Sequence, residues 1–220
     1  VEAHLAEDAP DVTTAVQTEQ KGTGHAVACG LEGLDELHGE VVVTYGDVPM
    51  LTGETLQRMV EAHRERRNLV TVLTAEVEDP TGYGRILREG EAVVGIVEHK
   101  DADEAQRAVR EINSGIYVFD AEALREGVSK LSNDNVQGEY YLTDVVTMAA
   151  DGTVEVPGRG CVGAFRIDDV WQTEGVNDRV QLARMNAEVN RRIVIGWMRA
   201  GVTIIDPTST WIQPDVDLAN

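Results

Sequence analysis

Two kinds of apolar pattern alternate along the chain. Short β-branched runs lie at residues 40–45 and 69–75, whereas apolar residues recur every three or four positions over 52–67 and 178–200. The first pattern predicts strands and the second predicts amphipathic helices, so we expect an α/β fold. The run at 40–45 is typical of a strand buried on both faces in a parallel sheet.

The same reasoning predicts elements over the rest of the chain. Further strands are expected at residues 13–17, 83–87, 92–98 and 112–119, and another begins at 202–206. Further helices are expected at residues 25–37, 121–131 and 141–150. Residues 99–110 read as a polar loop and residues 154–166 as strand or loop. The strands between 82 and 119 suggest an edge β region that forms a lid or a sugar-binding wall.

The charge of the chain limits the partners that it can bind, and its cysteine content indicates the cell compartment. The chain has 19 Lys and Arg against 39 Asp and Glu, a formal charge of −20, which disfavours nucleic acid and anionic membranes. A nucleotide is still allowed, because a metal ion and a few local donors can hold its phosphates. Cys29 and Cys161 are isolated, so a reducing cytoplasm is expected. No stretch approaches the ~20 apolar residues that span a bilayer.

A carboxylate follows the β-branched strand at Tyr45-Gly46-Asp47. Ligands of open α/β sheets bind beyond the carboxyl ends of strands, and a carboxylate there suits Mg²⁺ bridged to phosphates. Gly46 would let a ligand approach closely. A turn or helix-cap aspartate explains Asp47 equally well, so both interpretations stand at this point.

A polar, glycine-containing segment precedes the helix expected at 25–37. Its glycines, Gly22 among them, would let backbone amides approach a ligand, and the amide of Gln17 offers both a donor and an acceptor to a base. A plain turn with helix caps explains the segment about as well.

Three polar or small residues mark the predicted edge strands. Gly84 at the start of one strand indicates close approach of a sugar or ribose. Glu98 and Asn113 lie at neighbouring strand ends, where a carboxylate and an amide suit sugar hydroxyls and an N-acetyl group. Ordinary edge-strand polarity is the alternative.

The long helix at 178–200 is preceded by Asn177. Either Asn177 or Asp178 would cap its N-terminus. Alternatively, the carbonyl oxygen of Asn177 would be a second ligand for a Mg²⁺ ion held by Asp47.

Taken in order, these segments resemble one enzyme family. The matching segments are residues 17–25, 45–49, 79–86, 96–101, 111–115, 137–144 and 174–178. The series resembles the N-terminal uridylyltransferase domain of the bacterial bifunctional N-acetylglucosamine-1-phosphate uridylyltransferases / glucosamine-1-phosphate acetyltransferases. The resemblance implies a Rossmann-like nucleotidyltransferase fold with a mixed, mostly parallel sheet flanked by helices. It also implies Mg²⁺-dependent conversion of UTP and N-acetylglucosamine 1-phosphate to UDP-N-acetylglucosamine and pyrophosphate, for cell-wall precursor synthesis.

The resemblance also assigns roles to residues, although no catalytic acid or base. It implies uridine binding by Gln17, Gly22 and Thr23, and nucleotide binding by Tyr45, Gly46 and Asp47. It implies sugar binding by Gly84, Glu98 and Asn113, with Glu139 and Tyr141 lining the sugar pocket. Mg²⁺ would be held by Asp47 and Asn177, and Asn177 would also contact the nucleotide sugar.

Both ends of the chain differ from the family pattern. The glycine-rich loop with an arginine and a lysine that opens the family domain is not found before Gln17, and the chain starts with Val rather than Met. We therefore expect a fragment, poorly active alone, with a uridylyltransferase domain at 1–200 lacking its first βα unit. Residues 201–220 resemble the linker and opening coil of a left-handed β-helix. The parent protein would be a homotrimer that also acetylates glucosamine 1-phosphate.

Two other functions are consistent with the same residues. One is a non-catalytic, nucleotide-sugar-binding remnant. The other is a nucleotidylyltransferase for a different sugar phosphate, because a carboxylate such as Asp47 suits any nucleotide substrate that brings Mg²⁺ on its phosphates.

Overall fold

The computed structural model describes residues 2–34 and 36–218, in which helices and strands alternate as expected. The helices are α1 (Glu2–Asp8), α2 (Thr23–Glu32), α3 (Gly53–Arg66), α4 (Glu104–Arg107), α5 (Ala121–Ser129), α6 (Thr143–Ala150) and α7 (Arg179–Arg199). The strands are β1 (Glu40–Val43), β2 (Val70–Glu76), β3 (Gly84–Glu89), β4 (Ala92–Val97), β5 (Glu111–Asp120) and β6 (Val162–Ile167). A 3₁₀ turn spans Val170–Thr173.

The chain forms two compact units. The first comprises Val1–Tyr45 and Gly53–Val170, and the second comprises Gly46–Thr52 and Trp171–Asn220. The first unit contains the sheet and helices α1 to α6, and the second contains α7.

The sheet of the first unit is mixed, but the expectation of a mostly parallel sheet was wrong. Its order is β4-β3-β5-β2-β6, with β1 also pairing with β5. Among the described strands, only the β2–β6 pair is parallel, while the other four pairs are antiparallel. The short turn between β3 and β4 contains Gly90 at φ +62, and so tight a connection forces antiparallel pairing.

Strand β1 is not buried on both faces as its composition predicted. Among the described strands it pairs only with β5, and Val42 remains 39% exposed. Val41 and Val43 are half-buried. β-branched residues also suit a half-buried edge strand, which is why composition alone misplaced β1.

The core of the first unit lies between the sheet and helices α5 and α6. Val70 and Phe119 of the central strands pack with Leu124 of α5 and Val145 of α6, all with 0% exposure. Burial of each such side chain contributes about 1.5–3 kcal/mol. This core holds β3, β4 and β5 rigidly enough to position side chains at their ends.

Three other local expectations were wrong. Residues 13–17 and 202–206 form no strand, and both segments expose apolar side chains, Val16 by 66% and Ile205 by 98%. Without a partner strand, β-propensity alone gives no ladder. The predicted loop at 99–110 contains the one-turn helix α4, which a capping box between Asp103 and Gln106 stabilises.

In the second unit, Asn190 of α7 fastens the segment that follows the helix. Its Nδ2 donates to the carbonyl of Thr210 at 2.8 Å, and its Oδ1 accepts from the amide of Ile212 at 2.9 Å. Residues 201–218 contain no strand, so the start of a β-helix is not seen there, and residues 219–220 lie outside the described residues. Across the described part of the chain, no helix has the length and apolarity to cross a membrane.

Candidate functional site

Gly84, Glu98 and Asn113 lie together in the first unit. Gly84 pairs with Asn113 across the β3–β5 ladder, and Glu98 directly follows β4. A Cβ placed on Gly84 would lie 3.4 Å from Cβ of Asn113 and 3.5 Å from Oε2 of Glu98. The same Cβ would lie 3.2 Å from Cγ2 of Ile96, so a residue larger than glycine would be crowded between Glu98 and Asn113. We call these three residues the sugar wall.

The amide of Asn113 is held in one orientation. Its Nδ2 donates to the hydroxyl of Tyr117 at 2.7 Å, and its Oδ1 accepts from the amide of Gly115 at 3.0 Å. Burial raises the pKa of Tyr117 well above its usual value, so its hydroxyl stays neutral. One N–H and one lone pair of Asn113 are left to meet a ligand.

The carboxylate of Glu98 is half-buried and accepts from the hydroxyl of Thr143 at 3.0 Å. Burial raises the pKa of Glu98, and the nearby carboxylates of Asp101 and Asp144 add to that effect, whereas the bond from Thr143 opposes it. Glu98 is thus a strong acceptor whose charge is poorly solvated. A hydroxyl of a bound sugar would stabilise it.

Tyr45 is seated on Gly115 in the first unit. Gly115 has φ +78, and a Cβ there would overlap the ring of Tyr45. Gly115 also bonds the amide of Asn113, so one glycine links Tyr45 to the sugar wall. At Gly46, by contrast, a Cβ would meet nothing within 4 Å.

The segment expected to bind uridine packs against the segment that precedes α6. A Cβ on Gly22 would lie 2.6 Å from the carbonyl oxygen of Tyr140, and Thr23 Oγ1 accepts from the amide of Leu142 at 3.1 Å. The amide of Gln17 contacts Nδ1 of His25 at 2.9 Å. These contacts bring Gln17, Gly22 and Thr23 into one small region.

Glu139 and Tyr141 belong to the same packed segment. Cβ of Glu139 lies 3.0 Å from the position that a Cβ on Gly22 would take. Tyr141 is buried, and its hydroxyl accepts from Nε2 of Gln137 at 2.8 Å. The segment thus connects Thr23 on one side with Thr143, the partner of Glu98, on the other.

Arg85 lies next to Gly84 and is only 1% exposed. Its guanidinium donates to the carbonyl of Tyr83 and contacts Nδ1 of His99 at 3.2 Å, while its Nε has no partner in the described structure. Arg85 therefore ties the residue before Gly84 to the residue after Glu98.

In the second unit, Asp47 and Asn177 flank Gly175. A Cβ on Gly175 would lie 3.8 Å from Oδ2 of Asp47 and 3.9 Å from Nδ2 of Asn177. The amide of Val176 also donates to the carbonyl of Asp47 at 2.9 Å. Asp47 and Asn177 are 130 positions apart in the sequence but lie close together in the structure. Binding of one Mg²⁺ ion by both residues would require this.

The role of helix cap, expected at Asn177 or Asp178, belongs to Asp178. Asp178 is the residue that caps α7, because its Oδ1 accepts from the amides of Val180 and Gln181 at 2.8 and 2.7 Å. The backbone amide of Asn177 donates to Oε1 of Gln181. The exposed side chain of Asn177 is therefore not used as a helix cap.

The pair Asp47 and Asn177 fits the ligand chemistry of Mg²⁺. This ion takes hard oxygen donors and is commonly held by one or two protein groups together with waters and substrate phosphates. Among the described residues, no cluster of three or more His, Cys, Asp or Glu side chains suits a metal. One carboxylate and one amide oxygen thus match an ion delivered with phosphates rather than a structural metal.

Several residues of this arrangement were not singled out from the sequence. They are Arg85, Gly115, Tyr117 and Thr143. Arg85 and Gly115 lie inside segments that resemble the family, but the sequence did not indicate which residues they contact. Tyr117 reads from sequence as one more apolar residue of a strand.

Comparisons with known proteins identify the family of the chain. The family model described as nucleotidyl transferase matches residues 1–172. The Bifunctional protein GlmU of Cutibacterium acnes is 98% identical over 220 residues, covering 100% of this chain and 53% of the relative. The Bifunctional protein GlmU of Kineococcus radiotolerans is 55% identical over 218 residues, covering 98% and 43%. The chain thus spans about half the length of the curated relatives that it matches.

A solved structure supports the fold. The crystal structure of UDP-glucose pyrophosphorylase complexed with UDP-glucose superposes with a TM-score of 0.52 at 20% identity, over 68% of this chain and 56% of the other. At that identity the likeness establishes the fold alone.

Proposed function

Since the chain belongs to the nucleotidyl transferase family, we propose that it transfers uridylyl from UTP to N-acetylglucosamine 1-phosphate, giving UDP-N-acetylglucosamine and pyrophosphate. The observation that carries the proposal is the sugar wall, in which Glu98 and Asn113 lie together beside Gly84. The high identity to proteins named Bifunctional protein GlmU supports it.

The sugar wall supplies the groups that an N-acetylated sugar needs. Glu98 accepts hydrogen bonds from sugar hydroxyls, and these bonds stabilise its half-buried, poorly solvated carboxylate. Asn113 has one free N–H and one free lone pair, and an amide pairs well with the N-acetyl group. A site built to pair these groups rejects sugars that lack them, because its polar groups would be left unpaired.

We assign uridine binding to Gln17, Gly22 and Thr23, and further nucleotide contacts to Tyr45 and Gly46. The contacts between Gly22, Thr23 and the segment before α6 support a preformed pocket. Glu139 and Tyr141, in that segment, are proposed to line the sugar pocket.

Asp47 and Asn177 are the residues that we propose to hold Mg²⁺, with Asn177 also contacting the nucleotide sugar. Both side chains lie within 4 Å of the position that a Cβ on Gly175 would take, and this proximity supports the assignment. The chain has a formal charge of −20 and therefore repels the phosphates of UTP. A bound Mg²⁺ ion would neutralise part of the phosphate charge and so reduce this repulsion.

The reaction needs little covalent chemistry from the protein. A phosphate oxygen of the sugar 1-phosphate attacks the α-phosphorus of UTP, and the bond to the leaving pyrophosphate breaks in the same displacement. The residues of the sugar wall act by fixing the orientation of the attacking phosphate through the sugar. No side chain is therefore assigned as a general acid or base.

We extend the proposal to the whole protein and its setting. Residues 1–200 would be the uridylyltransferase domain, and residues 201–220 would lead into an acetyltransferase domain. The complete protein would form a homotrimer, acetylate glucosamine 1-phosphate from acetyl-CoA and act in the cytoplasm.

A binding and turnover series tests the proposal. We expect the complete gene product to release pyrophosphate from UTP fastest with N-acetylglucosamine 1-phosphate, compared with glucosamine and glucose 1-phosphates. Glu98→Gln should raise KM for the sugar phosphate at least tenfold, whereas Glu91→Gln, at an exposed position beside the same strand, should not.

The other functions give different results in the same series. Faster turnover with another sugar phosphate would favour a different nucleotidylyltransferase. Binding of UDP-N-acetylglucosamine without pyrophosphate release by the complete gene product would favour a non-catalytic binding role.

A further inference from the structure

An arginine-lined cavity lies in the first unit, away from the sugar wall. It has a volume of about 340 Å³ and is lined by Glu40, Arg64, Arg67, Pro157, Gly158 and Arg159. Three arginines around one cavity are unexpected in a chain with 39 acidic and 19 basic residues. We call this the arginine cavity.

The charges around the cavity are only partly compensated. Arg64 is bonded to Oε2 of Glu40 at 2.9 Å, and Arg159 is paired with Oδ2 of Asp120 at 2.8 Å. The side chain of Arg67 has no partner in the described part of the chain. The three lining arginines thus outnumber by one the carboxylates paired with them, Glu40 and Asp120, which leaves one positive charge in excess.

The backbone holds two of these arginines close together. The amide of Gly160 donates to the carbonyl of Arg67 at 2.6 Å, which fastens the loop bearing Arg159 to the end of α3. Arg67 has φ +53 because it directly follows α3, where the amide of Asn68 donates to the carbonyl of His63 at 3.1 Å and closes the helix end.

The cavity lies at the opposite end of the sheet from the sugar wall. Glu40 begins β1 and pairs with Asp120, the last residue of β5, whereas Asn113 lies near the start of β5. Seven residues of extended strand between Asn113 and Asp120 span roughly 20 Å. A ligand in the cavity would therefore be distinct from the substrates proposed above.

We propose that the arginine cavity is an anion site that binds a phosphate group carried by a small molecule. Guanidinium groups match phosphate oxygens bidentately, and three of them around one cavity suit a dianion. The unpaired Arg67 supplies the charge that the two ion pairs leave uncompensated. Glu40 disfavours anions, but its carboxylate is already bonded to Arg64.

Glycine-selective ¹⁵N NMR locates the binding of inorganic phosphate directly. The 220-residue chain is titrated with phosphate in the presence of EDTA, at an ionic strength kept constant with chloride. We expect the amide signals of Gly158 and Gly160 to shift in a saturable way, while those of Gly84 and Gly175 stay in place. Shifts confined to Gly84 or Gly175, or none at all, would overturn the proposal.

Charge-matched variants separate the cavity from a general electrostatic effect. Arg67→Gln should weaken phosphate binding at least tenfold, whereas Arg184→Gln, which removes an exposed arginine of α7, should change it less than twofold. Both variants should melt within a few degrees of the unmodified chain, because the side chains of Arg67 and Arg184 are both exposed. Equal weakening by both variants would overturn the proposal.

A phosphate monoester distinguishes the sources of the phosphate group. Phenyl phosphate is titrated in the same way as inorganic phosphate. Tighter binding of the ester would assign the cavity to an organic phosphate, and equal binding would assign it to free phosphate. If neither inorganic phosphate nor phenyl phosphate binds in the cavity while the complete gene product still transfers uridylyl, the anion site is refuted and the proposed function is unaffected.

Discussion

The ring of Tyr45 lies on Gly115 so closely that a Cβ at position 115 would overlap it. Gly115 also has φ +78 and donates its amide to Oδ1 of Asn113 at 3.0 Å. A single glycine therefore seats an aromatic ring proposed to contact the nucleotide and fixes an amide proposed to bind the sugar.

Substitution of Gly115 should weaken binding of UDP-N-acetylglucosamine by more than the loss of fold stability accounts for. Gly115→Ala should displace Tyr45 and weaken binding of UDP-N-acetylglucosamine at least tenfold, in addition to destabilising the fold by about 1–3 kcal/mol. Gly138→Ala is the matched control, because Gly138 has φ +67 but open space around it. Calorimetry and chemical denaturation measure the two effects. Equal binding by the two variants would contradict this role of Gly115.

His63 should make the fold sensitive to acid. It is fully buried, its Nδ1 contacts the hydroxyl of Thr71 at 2.9 Å, and its Nε2 has no partner in the described structure. The pKa of His63 is lowered to about 4, chiefly by burial and also by the charges of Arg159 and Arg64, whereas Glu40 and Asp120 oppose this shift.

The sign of the effect follows from proton uptake. Between pH 6.5 and 4 the unfolded chain binds a proton at this histidine that the folded chain does not. The free energy of unfolding therefore decreases as the pH is lowered, by roughly 2–3 kcal/mol in total. His63→Gln should remove that part of the acid dependence, whereas His4→Gln, at an exposed histidine, should keep it. Denaturant titrations from pH 4 to 7 measure both, and parallel curves for all three proteins would contradict the buried neutral histidine.

Glu98 should have the opposite influence on stability. Because burial raises the pKa of Glu98, the folded chain retains its proton to higher pH than the unfolded chain does. Stability is therefore lost as pH rises through the folded pKa, and Glu98→Gln should be more stable than the unmodified chain at pH 8 although it binds sugar phosphate more weakly. A thermal melt at pH 4 and pH 8 checks this, since the variant's advantage should vanish at pH 4.

Asn190 should control the segment that follows α7. Asn190→Ala removes both bonds to residues 210 and 212 and should cost about 1–3 kcal/mol of local stability. Hydrogen exchange at the amide of Ile212 should then quicken at least tenfold. Asn186→Ala, at an exposed position on the same helix, should leave that exchange rate unchanged.

Sequence patterns predicted those elements whose side chains have a clear period. α3, α7 and the strands β2 to β5 were found within a few residues of their expected positions. The strands expected at 13–17 and 202–206 were wrong because they find no partner strand, and partnering is not visible in a local pattern. The mostly parallel sheet was wrong because β5 pairs antiparallel with three neighbours.

The residues of the candidate site that lie in the matched sequence segments were predicted, whereas the residues that support them through packing were not. Asp47 and Asn177 do come together, as do Gly84, Glu98 and Asn113. Their supporting residues could not be found from the sequence, because each acts through a contact between distant positions, such as that of Thr143 with Glu98. The arginine cavity was also invisible, since its arginines are far apart in the chain.

The most direct test of uridylyl transfer is the Mg²⁺ dependence of pyrophosphate release at Asp47. With UTP and N-acetylglucosamine 1-phosphate, the complete gene product should release pyrophosphate as Mg²⁺ is added, and Asp47→Ala should lower kcat at least a hundredfold at any Mg²⁺ concentration. The variant should melt like the unmodified protein, because Asp47 is exposed. Full activity of Asp47→Ala at saturating Mg²⁺ would contradict the account.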